Sequence, residues 1–326
     1  MISLAKTPGR DFIVLNLSDP QLGNGEWESG HRNRRILTET VDILLERVRP
    51  DLITVSGDLS WAGDDDAYDA FAAFLESKNI PWTVVWGNHD NQNGPETVER
   101  VVTRYLTLPH FLYERGPAEI GNGNFVIRIE EDGKPVEGLI MMDSHDRAPY
   151  TAPDGNTTEA WAKLTPPQLA WYREQIAALE EAGCHDSTII THIPIYAYRE
   201  ASAAAFRAGC DKKAVEPQHS QASYGWNHGY ESSFGVEWEG ISSYPADEGA
   251  LDAILESGST KHVLVGHDHV NNTVIAWRGV ILAFSLKAGP GCYWDPRLNG
   301  GTVLTVTSDG MAGFRHEYVD PTPWLA

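Results

Sequence analysis

Short apolar runs and longer amphipathic stretches alternate at the start of the chain. The runs FIVLNLS at 12–18, LITVS at 52–56 and TVVW at 83–86 have the length and composition of buried strands. Between them, residues 34–48 and 67–77 repeat apolar side chains with the period of an α-helix. Strands that alternate with helices are joined by right-handed crossovers, so this pattern predicts an α/β fold with a parallel sheet.

The rest of the chain also mixes helical and strand patterns. We predict helices over 95–106, 166–183 and 247–257, strands over 187–191 and 262–266, a hairpin formed by 124–130 and 136–143, and late strands within NTVIAW, VILAFSL and TVLTVTS. The Pro-, Gly- and Asn-rich residues 148–158 are expected to form a surface loop. Residues 200–245 lack a regular pattern and are too long for an ordinary connection. We interpret them as an irregular insertion or flap within a single domain that spans residues 1–326.

Composition and charge narrow the class of protein. The chain has 326 residues, of which 41% are apolar, so it can bury a large core. Its net charge of −21 disfavours binding to nucleic acid, which requires a Lys- and Arg-rich surface. Neither a secretory signal nor a membrane-spanning apolar stretch is present, so we expect a cytoplasmic protein that does not bind membranes. The three cysteines are far apart and are interpreted as free thiols.

Polar side chains that can bind metal follow directly after five of the apolar runs. They are Asp19, Asp58, Asn88 with His89, His192, and His267 with His269. The carboxyl ends of parallel strands form the ligand crevice of α/β sheets, so these side chains are expected to converge along one edge. Taken singly, each of them is more typical of a turn or a helix cap.

The spacing of these residues favours a shared metal site. In GDL at 57–59 and GNHD at 87–90 a glycine removes side-chain bulk where the backbone turns, and in GHDH at 266–269 two histidines face one side. Carboxylate, carboxamide and imidazole ligands without thiolate favour Mn, Fe, Zn, Co or Mg. With one aspartate shared, the ligands divide into two sets, as in two-metal phosphoester hydrolases. Bound metal would also supply the positive charge that an acidic chain needs near an anionic substrate.

The order of these motifs resembles the calcineurin-like metallophosphoesterase superfamily over residues 19–269. The stretches DSHDR at 143–147, LTPPQLAWY at 164–172 and THIPIYAY at 191–198 are similar to the branch that holds purple-acid-phosphatase-like and fungal cell-cycle phosphatase proteins. The resemblance implies a four-layer α/β/β/α sandwich with mixed sheets and a dinuclear centre of divalent ions, either Mn, Fe, Zn or Mg. Trp61 stands where the purple enzymes have a tyrosine ligand, so no coloured iron centre is expected.

The resemblance also implies a role for each candidate residue. The metal ligands are Asp58 as the bridge, Asp19 and His269 for the first ion, and Asn88, His192 and His267 for the second. His89 matches the general acid that protonates the leaving group, a role that suits the ordinary pKa of histidine. The alternative for His89 is that it only fixes the orientation of Asn88.

Gln21 departs from the pattern of this family. The family usually has a histidine two residues after the first aspartate, where this chain has Gln21. Gln21 either ligates through its oxygen, which would favour Mn or Mg, or holds a water that does so, or leaves the first site partly filled. We prefer the first two alternatives, so Gln21 is included among the candidate metal ligands.

The sequence therefore predicts an enzyme, a metal-dependent hydrolase that acts on a small phosphomonoester or phosphodiester. The alternative is a metal- or phosphate-binding protein of the same fold that the change at Gln21 has made catalytically weak. A silent binding protein would have little chemical need to keep together Asp58, Asn88, His89, His192, His267 and His269. Their joint presence favours the enzyme.

Overall fold

The computed structural model describes residues 1–23, 25–61, 63–209 and 233–325. Within these ranges the strands are β1 Ile2–Lys6, β2 Phe12–Leu17, β3 Leu52–Ser56, β4 Trp82–Val85, β5 Phe125–Glu131, β6 Lys134–Met141, β7 Arg147–Thr151, β8 Thr157–Trp161, β9 Ser187–Ile190, β10 Thr260–Val265, β11 Val274–Trp277, β12 Val280–Phe284, β13 Gly300–Thr307 and β14 Gly310–Tyr318. The α-helices are α1 Arg32–Val48, α2 Asp65–Glu76, α3 Asn88–Asn91, α4 Pro95–Tyr105, α5 Pro166–Glu181, α6 Ala197–Arg207 and α7 Ala250–Ser257.

The smaller of the two main sheets carries the predicted parallel strands. Its order is β14-β13-β2-β3-β4, in which β2, β3 and β4 run parallel and β13 runs antiparallel to both β2 and β14. The helices α1 and α2 form the crossovers between these parallel strands, as the alternating pattern predicts. The carboxyl ends of β2, β3 and β4 therefore lie at one edge of this sheet.

The larger sheet has the order β1-β5-β6-β9-β10-β12-β11, and its central strands are buried on both faces. In and after β6, Leu139 and Met141 join the core that includes the smaller sheet, whereas Ile140 and Met142 join a second core against α5, α6 and α7. Successive side chains of a strand point to opposite faces, so both faces are covered. The prediction of an α/β fold with mixed sheets is confirmed. The four-layer order stays a prediction, which the burial of both faces supports.

One connecting segment differs from the predicted pattern. Residues 148–158, predicted as a surface loop, lie within a hairpin whose strands β7 and β8 pair from Arg147 with Trp161 to Thr151 with Thr157. The loop-forming residues 152–156 occupy only the turn between the two strands. The hairpin is held in place by Tyr244, whose hydroxyl donates to the carbonyl oxygen of Pro149 at 3.0 Å. A contact across 95 positions leaves no local signal in the sequence.

The predicted flap at 200–245 is partly helical. Residues 200–207 belong to α6, in which Ala and Arg are strong helix formers, and residues 210–232 lie outside the described part of the chain. Residues 233–245 are irregular apart from isolated bridges, such as the one between Phe234 and Val274. The prediction of an irregular segment is therefore wrong for its first eight residues.

Two further expectations concern the membrane and the cysteines. No helix in the described ranges is long and apolar enough to cross a membrane. Cys184 is buried and Cys292 is exposed, and both are free thiols, as expected. Cys210 lies outside the described residues.

Truncation of either of two neighbouring residues in β6 should destabilise the protein. Leu139→Ala and Ile140→Ala each empty a position that is 0% exposed, one in each core, so each should lower the free energy of unfolding by about 2–5 kcal/mol. Denaturant unfolding followed by circular dichroism measures the effect. Thr158→Ala, at an exposed position of β8, is the control and should change the value by less than about 0.5 kcal/mol. A small effect of either core substitution would contradict burial of the sheet on both faces.

Candidate metal centre

The candidate ligands come from the carboxyl ends of strands in both sheets. Those after β2, β3 and β4 are Asp19, Asp58 and Asn88, and those after β9 and β10 are His192, His267 and His269. The two sheets meet at this edge, where His269 Nε2 lies 3.3 Å from Asp19 Oδ1 and His192 Nε2 lies 3.4 Å from Asp58 Oδ2. The structure thus brings the candidate ligands of both sheets together in one buried cluster.

Tight backbone turns aim these side chains into the cluster. Asp19, Asp58 and His267 have φ angles of 52°, 54° and 76°, in the left-handed region that residues other than glycine rarely adopt. A Cβ atom at Gly87 would lie 2.1 Å from Asp58 Oδ1, so only glycine lets the turn after β4 pass this close to the carboxylate. The glycine therefore makes room for Asp58, as the sequence pattern predicts.

Asp19, Asp58 and His269 form a first donor group, whose ligand atoms lie within 4.8 Å of one another. His269 Nδ1 lies 2.7 Å from the carbonyl oxygen of Tyr293 and donates to it, which leaves Nε2 to face Asp19. Asp19 Oδ1 is buried and has no hydrogen-bond partner among the described residues. A bound cation, or a second proton on His269, would satisfy both atoms.

His192 is the centre of a second donor group, which shares Asp58 with the first. Its Nδ1 lies 2.7 Å from the carbonyl oxygen of Ser56 and donates to it, so the Nε2 atom is the one available to a ligand. Around Nε2 lie Asn88 Oδ1 at 3.0 Å, His267 Nδ1 at 3.2 Å and the carboxylate of Asp58. Carboxylate, carboxamide and imidazole donors converge here, and this donor set fits a divalent first-row ion or Mg.

Burial and charge act in opposite directions on the ionisable groups of the cluster. Burial raises the pKa of Asp58, but the charge and hydrogen bond of His192 outweigh this effect and hold the pKa below its usual range. Burial lowers the pKa of His192, yet the charge of Asp58 raises it overall to about 10. Burial and the nearby His192 lower the pKa of His267 to about 3. The buried carboxylates thus favour a positive charge beside them, and a divalent ion would release the proton of His192 on binding.

His89 lies beside the cluster rather than within it. Its backbone N–H donates to Asp58 Oδ1 at 2.8 Å, which ties the start of α3 to the shared carboxylate. Its ring packs against Trp61 with centroids 4.4 Å apart, and its Nδ1 lies 3.1 Å from Gln92 Oε1. The ring is therefore held at the partly exposed edge of the site, where it can meet a substrate. Neither of these ring contacts involves Asn88, the residue that the alternative role requires.

Gln21 is fully buried, and its contacts identify the two ends of its amide. Nε2 lies 2.5 Å from Asp58 Oδ2, and Oε1 lies 3.4 Å from the ammonium of Lys287. The reverse orientation would place the oxygen against a carboxylate and the NH2 group against an ammonium. Gln21 therefore offers Asp58 a donor. Its role as a metal ligand stays a prediction, and these contacts favour the alternative of a partly filled first site.

Lys287 is a buried residue of the site that the sequence analysis missed. It follows the apolar run VILAFSL directly, so the pattern that selects the candidate ligands also selects this lysine. An ammonium has no lone pair for a metal, which is why it was not a candidate ligand. Its Nζ donates to the backbone oxygen of Asp19, and the residue is 3% exposed.

Asp90 is the other missed residue, and it joins the turns that carry the ligands. Its carboxylate accepts hydrogen bonds from the backbone N–H of Gly87 at 2.8 Å, the N–H of Leu59 at 3.1 Å and the hydroxyl of Tyr68 at 2.8 Å. Burial and the charge of Asp58 raise its pKa to about 7. The signal in the sequence is its place in GNHD, three residues after the N-cap of α3, where a carboxylate reaches back to the cap.

Aromatic rings lie against three histidines of the site. The pairs are Trp61 with His89, Trp161 with His267, and Tyr293 with His269, with ring centroids 4.4, 4.4 and 4.2 Å apart. The guanidinium of Arg147 lies 3.5 Å from the ring centre of Trp161. Because Arg147 and Trp161 belong to the hairpin that the sequence does not predict, only the structure places them beside the site.

Known proteins are similar to this chain in sequence. The family model of the calcineurin-like phosphoesterases matches residues 13–271. The chain is 26% identical over 317 residues to the probable inactive purple acid phosphatase 29 of Arabidopsis thaliana, across 88% of this chain and 75% of that protein. It is 30% identical over 164 residues to phosphatase DCR2 of Saccharomyces cerevisiae, across 44% of this chain and 28% of that protein.

A solved structure is similar over almost the whole chain. A dimetal phosphatase from Danio rerio matches with a TM-score of 0.55 and 12% identity, across 94% of this chain and 98% of that one. At this identity the likeness shows the fold alone. The family model, in contrast, includes every candidate ligand from Asp19 to His269. The chain belongs to the calcineurin-like phosphoesterase family.

Proposed function

We propose that this protein is a metal-dependent hydrolase of small phosphoesters that uses two divalent ions. The observation that carries the proposal is the convergence of two donor groups on the buried carboxylate of Asp58. The first group adds Asp19 and His269, and the second adds Asn88, His192 and His267. Donor sets of this kind suit Mn, Fe, Zn or Mg.

The residues of the chain would orient the ligands and move the proton. Bound divalent ions would supply the positive charge that binds phosphate oxygens and activates water as the nucleophile. The carbonyl oxygens of Ser56 and Tyr293 hold the Nδ1 protons of His192 and His269, so that Nε2 of each ring faces the ligand side. His89, at the open edge, would donate a proton to the leaving oxygen.

A second candidate function is the binding of metal or phosphate without turnover. It is favoured by Gln21, whose amide nitrogen contacts Asp58 and whose oxygen faces Lys287. The names of the relatives support both functions, since one is a probable inactive purple acid phosphatase and the other a phosphatase. We prefer the enzyme because His89 stands at the open edge of the site, where a binding protein has no use for a proton donor.

Removal of metal should abolish hydrolysis. After treatment with a chelator and desalting, the rates on p-nitrophenyl phosphate and bis(p-nitrophenyl) phosphate should each fall at least about 100-fold, because water activation and phosphate binding both need the metal charge. Mn²⁺, Zn²⁺, Fe²⁺ and Mg²⁺ are then added in separate samples. At least one of them should restore the hydrolysis rate on the better of the two substrates. Asp58→Asn should stay inactive at metal concentrations that restore the wild type, because it lacks the shared carboxylate.

The same assay separates the two candidate functions. Hydrolysis that survives complete metal removal would rule out the metal-dependent mechanism. Protein that is fully loaded with metal but hydrolyses neither a monoester nor a diester would favour the binding protein. The ratio of the two rates in active protein reports the preference for monoesters or diesters.

His89→Ala should slow turnover and leave the metal content unchanged. A positioned general acid contributes about 100- to 10,000-fold, so kcat should fall within this range, and more for glycerol phosphate than for a nitrophenyl ester, whose leaving group needs no proton. Elemental analysis of the same samples measures the metal. His185→Ala, at an exposed histidine after α5, is the control and should change neither value. Loss of metal together with activity would contradict the role assigned to His89.

A further inference from the structure

A buried ammonium lies beside the first donor group. The Nζ atom of Lys287 donates to the backbone oxygen of Asp19 and, at 3.4 Å, to Gln21 Oε1. Both partners are uncharged oxygens, so neither neutralises the ammonium. The carboxylates whose charges act on it are those of Asp19, Asp58 and Glu26, and the first two are also donors of the first group. The lysine and a metal ion would therefore compete for the same negative charge.

The position of Lys287 is fixed by the backbone on both sides. The backbone of Lys287 forms isolated β-bridges with Ser18, the residue before Asp19, and with Asn299. The next residue, Ala288, donates its N–H to the carbonyl oxygen of Ser18 at 2.8 Å. With the side chain buried as well, the Nζ group has a fixed position in the site and does not act as a mobile surface charge.

Gln21 connects this ammonium to the shared carboxylate. Its oxygen faces Lys287, and its NH2 group donates to Asp58 Oδ2 at 2.5 Å. In this orientation Gln21 turns an NH2 group toward the first donor group and offers no lone pair to a metal ion there. The first group thus has three ligand atoms and a neighbouring positive charge, whereas the second has imidazole and carboxamide donors in addition to Asp58.

We infer that Lys287 and Gln21 make the two metal positions unequal, so that the first donor group binds its divalent ion weakly and exchangeably while the second binds tightly. Repulsion between the ammonium and a divalent ion weakens the first position, and Lys287 balances the charge of Asp19 when that position is empty. The inference rests on the proposed function, since it requires that the two donor groups bind metal.

Metal titration of the wild-type protein tests the inference directly. Metal-free protein is titrated with Mn²⁺ in competition with a chromophoric chelator, and bound Mn is counted by elemental analysis after desalting. We expect one ion per chain to be retained and the second to bind at least about tenfold more weakly. Two ions of equal affinity would overturn the inference alone. Protein that binds no divalent ion would overturn both the inference and the proposed function.

Substitution of Lys287 tests the assigned cause. Lys287→Met keeps an unbranched side chain that is one atom shorter and removes its charge, so it should tighten binding of the second equivalent at least about tenfold and leave that of the first within about threefold. Lys287→Gln repeats the test with a neutral side chain that keeps a hydrogen-bond donor, in case the Met variant does not fold. A second equivalent that is unchanged or weaker in the folded variants would overturn the role of the lysine.

The chain offers a matched control for the loss of a buried lysine. Lys6 is also buried, but its Nζ pairs with Glu131 at 3.0 Å, away from the metal centre at the edge of the larger sheet. Lys6→Met should leave both metal affinities unchanged, because no ligand lies near it. A tightening of the second equivalent in Lys6→Met equal to that in Lys287→Met would show a general effect of net charge and overturn the local explanation.

Discussion

The buried carboxylate of Asp58 is the constraint around which the site is arranged. The residue is 1% exposed, and an isolated charge at such a position costs far more than ordinary contacts return. Partners from three separate segments therefore surround it, namely the backbone N–H of His89, the amide of Gln21 and the ring of His192. Only glycine fits at position 87, because a Cβ atom there would clash with the carboxylate of Asp58. Because His192 follows β9 of the larger sheet and Asp58 follows β3 of the smaller one, their contact joins the two sheets at the site.

The smaller sheet is predictable from sequence, whereas the hairpin beside the site is not. The strands β2, β3 and β4 are buried on both faces, so each appears as a continuous apolar run between amphipathic helices. In β7 and β8 the exposed Thr and Pro residues resemble a loop, and the hairpin is contacted by Tyr244, far away in the sequence. Local patterns cannot contain a stabilising contact of this kind.

The candidate ligands are also predictable from local sequence patterns. The role of Lys287 is not. The candidate ligands are Asp, Asn and His residues that stand immediately after apolar runs. Both their residue types and their positions can therefore be recognised from the sequence alone. The importance of Lys287 depends on its neighbours Gln21 and Asp19, which are 266 and 268 positions away. In the sequence it is one of eight lysines, and although it follows an apolar run, an ammonium is no metal ligand. Only the fold shows that its charge is buried and aimed at the ligands of a cation.

The left-handed turns of the site limit how its chemistry can evolve. Asp19, Asp58 and His267 supply donor atoms and also adopt a left-handed backbone conformation, in which asparagine, aspartate and histidine are enriched among residues other than glycine. A mutation to glutamate or cysteine at one of these turns would therefore add backbone strain, as Gln21 and Cys292 do at their own φ angles of 44° and 60°. The exchanges that add no strain stay among hard and borderline oxygen and nitrogen atoms. Such exchanges retune the preference among similar divalent ions, whereas a thiolate ligand at these turns would carry an added conformational cost.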